Sequence, residues 1–291
     1  MYTYLNDRTL HLLNQGLTPM QIAEAMQKLP GDLEKKWYAR GYYGSLSFNS
    51  RAVYQRYLGF YDANPANLNP LEPEAAGRRY VEAMGGSDKV LGMMRDAIAK
   101  GDYRWAAEIG NRLVFADPQN QEARNAQADA LEQLGYQTEN SLWRNMYLTG
   151  ALELRNGPRS NSTRQAEDLV RALAPSMFFD YMGVRLDSDK AVGHDMVLNW
   201  VFSDLGQPFA LTLRNGVLTY REGMRHEKPD ATVTMPKSTL DRISLRQITL
   251  PEAMRNGEIR IEGDGHKLAE LMGLMTTFDP SFNIVMPLAK H

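Results

Sequence analysis

Apolar residues recur at intervals of three and four through the first half of the chain, which is the spacing of amphipathic helices. Several of these segments carry a start or stop signal of their own. Thr18-Pro19 opens one helix, Asp32 opens another, and Gly85-Gly86 ends a third. The predicted helices cover residues 2–15, 19–29, 32–37, 74–84, 87–100 and 143–154. The pattern therefore predicts a mainly α domain over residues 1–155.

The densest run of aromatic residues lies at 37–61, where Gly41 and Gly44 bracket two tyrosines in a predicted tight turn. From residue 50 onward this run has helical spacing. Its predicted inner face holds Val53, Tyr57 and Phe60, with Tyr54 and Tyr61 on the adjoining edge. Two interpretations stay open: a core corner in which the tyrosine rings pack, or the wall of a binding pocket.

Residues 101–135 have the pattern of one tetratricopeptide unit, with small residues at the helix crossings and an Asp-Pro-Gln-Asn turn at 117–120. A single unit cannot bury both of its faces, so it must stack on neighbouring helices or on a second chain. A peptide-binding groove would need several such units in array, and one copy is clear. We therefore interpret this unit as a scaffold and a dimer contact.

The periodicity changes after a polar linker rich in helix breakers at residues 155–163. Thr163 is the predicted cap of a further helix. Alternating strands follow at 196–202, 209–214, 217–220 and 231–235. The Asn215-Gly216 pair is the favoured turn of a two-residue hairpin. Such a loop predicts the pairs Arg214–Val217, Leu213–Leu218 and Leu211–Tyr220, with the leucines on an apolar face.

The last part of the chain combines short helices with one more strand. Thr249 and Glu252 form a capping box, residues 258–262 alternate as a strand, and a Gly-Asp-Gly turn follows at 263–265. The inner stripe of the closing helix holds Leu268, Leu271, Met272 and Met275. This order predicts an α+β domain over residues 163–291. The predicted fold class of the chain is thus a mainly α, tetratricopeptide-like domain followed by an α+β domain.

Composition narrows the classes of function. With 33 Lys and Arg residues against 35 Asp and Glu, the net charge of the chain is close to zero. Its electrostatic field therefore gives no reason to expect nucleic-acid binding. It has no cysteine, so disulfides and thiolate sites are excluded, and cytoplasm and periplasm both stay open. The first residues lack the regions of a signal peptide, and no run of about eighteen apolar residues could span a bilayer. We expect the chain to be soluble. Its helical pattern already begins at Tyr2, which is expected if the sequence starts inside a longer protein.

Catalytic motifs are absent from the sequence. A catalytic zinc site needs three or four ligands, and the five histidines show no His-x-His or His-x-x-x-His spacing. We interpret His194-Asp195 as a turn before a strand. Nucleophile-elbow, phosphate-loop and dinucleotide motifs are also missing. The sequence therefore predicts neither a catalytic residue, nor a metal site, nor a cofactor in this chain.

Several long strings carry a resemblance to a known family. They are Arg-Gly-Tyr-Tyr-Gly-Ser at 40–45, Ala-Val-Tyr-Gln-Arg-Tyr-Leu-Gly at 52–59, Gly-Asp-Tyr-Arg-Trp-Ala-Ala-Glu at 101–108 and Trp-Arg-Asn-Met-Tyr-Leu-Thr-Gly at 143–150. These strings closely resemble the linear alkylsulfatases, zinc hydrolases of the metallo-β-lactamase superfamily. In that family a zinc domain precedes a helical dimerisation domain and a sterol-carrier-protein-like α+β domain that encloses an apolar tunnel. The chain resembles the last two of these domains.

The resemblance implies two binding sites. In alkylsulfatases a tyrosine of the dimerisation domain helps to hold the sulfate head in the pocket of the zinc domain. Tyr57 is the first candidate for this residue and Tyr54 the second, and Arg56 is a candidate partner of the anion. The α+β domain would bind the alkyl chain along Trp200, Phe202, Leu211, Met272 and Met275, at about 0.8 kcal/mol for each buried methylene. Plain core packing is the alternative for each of these five residues.

Two functional hypotheses follow. The first is the C-terminal part of an alkylsulfatase, an enzyme that hydrolyses alkyl sulfates such as dodecyl sulfate to an alcohol and sulfate. In this hypothesis the chain supplies dimerisation, part of the sulfate pocket and alkyl-chain binding, and zinc belongs to a metallo-β-lactamase-like domain outside it. The alternative is a stand-alone, non-enzymatic dimer that binds a lipid or another amphiphile. Both predict a homodimer that binds an amphiphile.

Overall fold

A computed structural model of the 291-residue chain describes residues 1–159 and 167–288. The chain divides into two compact units. The helical unit consists of Met1–Ser160 together with Ser281–His291, and the α+β unit consists of Asn161–Pro280. The predicted fold class, a mainly α part followed by an α+β part, is confirmed. Among the described residues, no helix combines the length and the apolar character needed to cross a membrane.

Eight α-helices build the described part of the helical unit. They are α1 (Tyr2–Asn14), α2 (Pro19–Ala25), α3 (Leu46–Leu58), α4 (Pro73–Ala83), α5 (Ser87–Ala99), α6 (Tyr103–Ala116), α7 (Gln121–Gln137) and α8 (Ser141–Asn156). The helix predicted from Asp32 to Trp37 is wrong, because only a short 3-10 turn forms there, at Gly31–Leu33. This polar segment has too few apolar side chains to bury a helical face, and a short helix without tertiary packing is unstable.

Side-chain caps fix where several helices begin. The Thr18 side chain accepts a hydrogen bond from the N–H of Gln21, and the Gln21 side chain accepts one from the N–H of Thr18. The predicted start of α2 is thus confirmed as a full capping box. Asp102, Asn120 and Asn140 each accept a hydrogen bond from the N–H three residues on, at the starts of α6, α7 and α8. These caps satisfy amide donors that a first helical turn leaves open.

Glycines permit the closest contacts between helices. Gly77 of α4 faces the backbone of α6, where a Cβ would lie 2.7 Å from the carbonyl oxygen of Arg112. Gly110 of α6 faces α7, where a Cβ would lie 2.0 Å from Oε1 of Gln127. The predicted tetratricopeptide-like hairpin is formed by α6 and α7, which pack on α4, α5 and α8. Its small residues therefore act as expected, by letting backbones approach.

Residues 281–288, the C-terminal segment, pack on α8 within the helical unit. The N–H groups of Ile284 and Val285 both donate to Oε1 of Glu153, at 2.7 and 2.9 Å. Met286 joins the main core of the helices and is 8% exposed. The helical unit is therefore assembled from two separate stretches of sequence.

A mixed five-stranded sheet organises the α+β unit. Its strands are β1 (Met196–Phe202), β2 (Gln207–Arg214), β3 (Val217–Glu222), β4 (Ala231–Met235) and β5 (Arg260–Gly263), in the order β3-β2-β1-β4-β5. β1 and β4 are parallel, and the other neighbours are antiparallel. Its described helices are α9 (Glu167–Ala172), α10 (Pro175–Arg185), α11 (Ser188–Ala191), α12 (Lys237–Ser244), α13 (Leu250–Arg255) and α14 (Gly265–Gly273). Thr163, the predicted cap of the first helix, lies outside the described residues.

The β2–β3 hairpin has the predicted register. Asn215 and Gly216 have φ values of 53° and 71°, the positive pair that a type I′ turn requires. Arg214 pairs with Val217, and Leu213 pairs with Leu218. The core of this unit lies on the apolar face of the sheet, which is covered by side chains of α10, α12, α13 and α14. The capping box predicted at residues 249–252 opens α13.

Candidate functional site

Tyr57 and Arg56 line one surface groove beside α1 and α3. The groove has a volume of about 350 Å³ and is lined by Leu5, Asn6, Asn49, Ala52, Val53, Arg56 and Tyr57. Tyr57 is 57% exposed, and its hydroxyl lies 3.4 Å from Oδ1 of Asn6, to which it donates. A phenol, a guanidinium and two carboxamides therefore share one groove. All of them can donate hydrogen bonds to an anion, and the guanidinium adds a positive charge.

The inner face of α3 differs from the predicted one. The helix begins at Leu46, four residues before the predicted start, and its buried residues are Ser47, Ser50 and Tyr54. The predicted inner face is therefore wrong for Tyr57 and Phe60, whereas Val53 does pack against the core. The helix ends at Leu58, so Phe60 falls outside it and is 85% exposed. The two small serines on the inner face let α3 approach α1 and α2, and the ring of Tyr54 packs in the core between these helices.

Tyr54 is a core residue of the helical unit. It is 4% exposed, and its hydroxyl lies 3.4 Å from the carbonyl oxygen of Tyr61, to which it donates. Its ring belongs to a buried cluster with Leu5, Leu12, Ile22 and Met26. Of the two tyrosines considered for sulfate binding, Tyr57 is the one that lines the groove.

The Arg-Gly-Tyr-Tyr-Gly-Ser loop is fixed to the start of α8. Nδ2 of Asn140 donates to the carbonyl oxygen of Gly41 at 3.0 Å. The N–H of Ser141 donates to the carbonyl oxygen of Tyr42 at 2.7 Å. Held in this way, the loop leaves Tyr43 72% exposed. The turn that the glycines predict therefore presents exposed phenols to solvent, with Tyr43 the more exposed of its two tyrosines.

The aromatic run at residues 37–61 leaves several large rings in contact with solvent. The exposed fractions are 73% for Trp37, 65% for Tyr38, 72% for Tyr43 and 85% for Phe60. Large exposed apolar side chains that recur in one segment are typical of a surface that contacts another protein or a ligand. The core interpretation of this run therefore holds for Tyr54, whereas these four rings face outward.

A larger concave region of about 620 Å³ lies on the helical unit, and no pattern in the sequence indicates it. Its wall includes Tyr80, Arg104, Trp105, Arg112, Gln127, Tyr147 and Val285. The guanidinium of Arg112 lies 4.7 Å from the centre of the Tyr80 ring, a cation–π contact. The hydrogen bond from Arg104 to Glu24, at 2.6 Å, lowers the pKa of the Glu24 carboxyl. The wall draws on separate helices and on the C-terminal segment, so no single pattern along the chain could reveal it.

The interior of the α+β unit brings together all five residues considered for alkyl-chain binding. Trp200, Phe202 and Leu211 are at most 2% exposed, and Met272 and Met275 pack against the same cluster. The rings are close, with 5.6 Å between the centres of Phe179 and Trp200. The indole N–H of Trp200 is buried and has no acceptor among the described residues. Among the described residues, this apolar interior therefore contains a buried polar group without a hydrogen-bond partner.

The histidines of the described residues do not gather into a metal site. Nδ1 of His194 lies 2.7 Å from Oε1 of Glu270, and Nζ of Lys267 lies 2.9 Å from Oε2. These two hydrogen bonds lower the pKa of the Glu270 carboxyl. Within residues 1–159 and 167–288, no group of three His, Asp or Glu side chains could hold a metal ion. The donor set therefore does not fit a catalytic zinc ion, which needs at least three protein ligands.

Two family models match consecutive parts of the chain. The model for alkyl sulfatase dimerisation matches residues 18–157, and the model for the alkyl sulfatase C-terminal domain matches residues 163–287. The first match covers most of the helical unit, and the second covers the α+β unit and most of the C-terminal segment.

Individual relatives agree with these models. The chain is 62% identical to an (R)-specific secondary-alkylsulfatase from a Pseudomonas species, in a match that covers 99% of this chain and 43% of the relative. It is 48% identical to the alkyl/aryl-sulfatase BDS1 of Saccharomyces cerevisiae, covering 99% of this chain and 44% of the relative. A structure of a stereoselective inverting sec-alkylsulfatase from Pseudomonas matches with a TM-score of 0.93 and 61% identity, covering 99% of this chain and 45% of that one. The chain thus spans less than half of the length of these relatives.

Proposed function

Because the chain belongs to the alkylsulfatase family and carries its dimerisation and C-terminal domains, we propose that it is the non-catalytic part of an enzyme that hydrolyses alkyl sulfates. The products of that reaction are an alcohol and inorganic sulfate. The observation that carries the proposal is the consecutive match of both family models over residues 18–157 and 163–287. Zinc chemistry belongs, in this proposal, to a metallo-β-lactamase-like domain outside the chain.

The helical unit supplies dimerisation. Its match to the alkyl sulfatase dimerisation model supports a homodimer, and so do the exposed rings of Trp37, Tyr38 and Phe60. Large exposed aromatic side chains are favourable anchors in protein interfaces because they bury much area with little loss of side-chain entropy.

The groove beside α3 contributes to binding of the sulfate head. The Tyr57 hydroxyl can donate to a sulfate oxygen without adding charge, and the Arg56 guanidinium compensates the negative charge. Asn6 and Asn49 supply further amide donors from the same groove. Tyr54 is less suited to this role, because its hydroxyl is buried and bonded to the carbonyl of Tyr61.

The α+β unit binds the alkyl chain. Its interior around Trp200, Phe202 and Leu211 is apolar, and the adaptable side chains of Met272 and Met275 suit alkyl chains of different length.

The sequence identity of the chain is higher to the secondary-alkylsulfatase, at 62%, than to a linear primary-alkylsulfatase from Pseudomonas, at 49%. This difference favours secondary alkyl sulfates as the substrate class.

A chimeric enzyme tests the proposal. The part of the Pseudomonas secondary-alkylsulfatase that precedes the matched region is joined to this chain, and sulfate release from a secondary alkyl sulfate is measured with zinc present. We expect the chimera to release sulfate, as the parental enzyme does, and this chain alone to release none. A chimera that binds zinc and dimerises but has no activity would contradict the proposed family role. Turnover of dodecyl sulfate by the chain alone, abolished by a chelator, would contradict its non-catalytic assignment.

A further inference from the structure

A buried carboxylate of α8 contacts the backbone of the C-terminal segment. Glu153 is 7% exposed, and its Oε1 accepts hydrogen bonds from the N–H groups of Ile284 and Val285 at 2.7 and 2.9 Å. Hydrogen bonds to an ionised acceptor are about twice as strong as neutral ones. Within the described residues no Lys or Arg side chain forms an ion pair with Glu153, so the two amides compensate its burial.

The side chains of the segment divide into buried and exposed positions. Met286 is 8% exposed within the helical core, and Val285 packs against the same core. Gly150 of α8 makes room for this contact, since a Cβ there would lie 3.2 Å from Cγ1 of Val285. The flanking Ile284 and Leu288 are 69% and 65% exposed. The segment is therefore recognised through two amides, the buried side chain of Met286 and the partly buried side chain of Val285.

These contacts join parts of the chain that are far apart in sequence. Glu153 and Ile284 are separated by 131 positions. The segment also has an internal hydrogen bond, in which Nδ2 of Asn283 donates to the carbonyl oxygen of Pro287 at 2.7 Å. It belongs to no helix or strand, so its attachment rests on contacts of the kind that hold a peptide ligand. Backbone hydrogen bonds supply affinity in such complexes, and pockets for particular side chains supply specificity.

We propose that the surface formed by Gly150, Glu153 and the core around Met286 is a peptide-binding site, here called the Glu153 site. Its ligand class is a bent peptide segment with two consecutive free N–H groups, the second belonging to the first residue of an apolar pair. In this protein the chain's own C-terminal segment occupies the site. The hairpin of α6 and α7 is a single tetratricopeptide-like unit and does not form a groove by itself. In this site α8 supplies the second side, with Gly150 and Glu153.

The test separates the segment from the rest of the full chain without deleting it. A recognition sequence for a site-specific protease is inserted between Pro280 and Ser281, and the cleaved protein is passed over a size-exclusion column. We expect mass spectrometry to find the cleaved segment still bound. We also expect an excess of a fluorescent peptide, Ser-Phe-Asn-Ile-Val-Met-Pro-Leu, to replace it, as measured by anisotropy. Loss of the cleaved segment on the column would overturn the proposal.

Matched variants establish specificity. In the peptide, Met286→Ala should weaken binding about tenfold or more because a buried side chain is truncated. The control Ile284→Ala, two positions away and exposed, should change binding by less than about twofold. In the protein, Glu153→Gln keeps the shape of the acceptor but removes its charge and should weaken binding about tenfold. Equal losses from both peptide variants would mean non-specific adhesion and would overturn the proposal, as would unchanged affinity in Glu153→Gln.

Discussion

The side chain of Gln127 occupies the space that any side chain at Gly110 would need. A Cβ on Gly110 would lie 2.0 Å from Oε1 of Gln127 and 2.5 Å from Cε of Met94. Gln127 is 4% exposed, and its Nε2 donates to the carbonyl oxygen of Ala107 at 3.0 Å. The carboxamide is thus held between α6 and α7, and this contact sets the distance between the two helices of the tetratricopeptide-like hairpin.

We expect Gly110→Ala to destabilise the helical unit by about 2–4 kcal/mol. The added methyl group must displace the buried carboxamide of Gln127, whose Nε2 already donates a hydrogen bond to Ala107. Unfolding in urea followed by circular dichroism measures this loss. The matched control is Gly92→Ala in α5, where a Cβ meets no atom within 4 Å. The control should raise the free energy of unfolding by up to about 1 kcal/mol, since alanine is the better helix former. Equal stability of the two variants would contradict the prediction.

In the chimeric enzyme, Tyr57→Phe should weaken the binding of alkyl sulfate about 10- to 100-fold. The substitution removes one neutral donor to a charged group, which is worth about 1.5–3 kcal/mol. The unfolding temperature should stay unchanged, because Tyr57 is 57% exposed. Steady-state kinetics and thermal unfolding of the same preparation measure both effects.

Tyr43→Phe is the matched control for Tyr57, since it removes the same hydroxyl from another exposed tyrosine of the aromatic run. We expect it to leave kinetics unchanged. A kinetic loss in Tyr43→Phe alone would assign the sulfate contact to the loop at residues 40–45. A lower unfolding temperature in Tyr57→Phe with unchanged kinetics would make Tyr57 a structural residue.

The chain should form a dimer through residues 1–150 at micromolar concentration. A lone tetratricopeptide-like hairpin and exposed aromatic rings leave apolar surface that association would bury. Light scattering coupled to size exclusion measures the mass. Phe60→Ser should weaken the dimer, whereas Leu169→Ser, which removes a 62% exposed side chain from the α+β unit, should not. A monomer mass for the unsubstituted chain at micromolar concentration would contradict the prediction.

Acid should destabilise the α+β unit partly through Glu270. Hydrogen bonds from His194 and Lys267 hold the pKa of its carboxyl below the ordinary value of 4.5. A carboxyl with a lowered pKa in the folded state stabilises that state above its unfolded pKa, and this stabilisation is lost as the pH falls through the folded pKa. We therefore expect Glu270→Gln to flatten the fall in unfolding temperature between about pH 5 and pH 3. Glu227→Gln, which removes an exposed carboxyl, is the control, and coinciding profiles of the two variants would contradict the prediction.

Features set by neighbouring residues could be predicted from the sequence. The register of the β2–β3 hairpin follows from the two-residue Asn215-Gly216 loop, because loop length fixes which residues pair. The capping boxes at Thr18 and Thr249 are likewise local, since each joins residues three positions apart. The five residues considered for the α+β interior do lie in one core. They could be predicted because strand alternation and helical spacing are local patterns that mark the apolar face of each element.

Features set by distant partners could not be predicted. The face of α3 that is buried depends on how closely α1 and α2 approach, which aromatic spacing within α3 does not reveal. The contact between Glu153 and the C-terminal segment joins residues 131 positions apart, and no local sequence motif at either position indicates the contact. The groove that places Arg56 and Tyr57 beside Asn6 is likewise formed by two helices, so only its α3 half was visible in the sequence.

The attachment of residues 281–288 to α8 has a consequence for how the protein is made. Domains commonly fold during synthesis as soon as their residues have emerged. Here α1 to α8 are translated before the α+β unit, but Val285 and Met286, which pack in the core of these helices, follow only after it. Until then Glu153 lacks the two amides that compensate its burial. The helical core therefore closes after translation of the α+β unit, and a nascent chain stalled before Val285 would expose that core to chaperones and proteases.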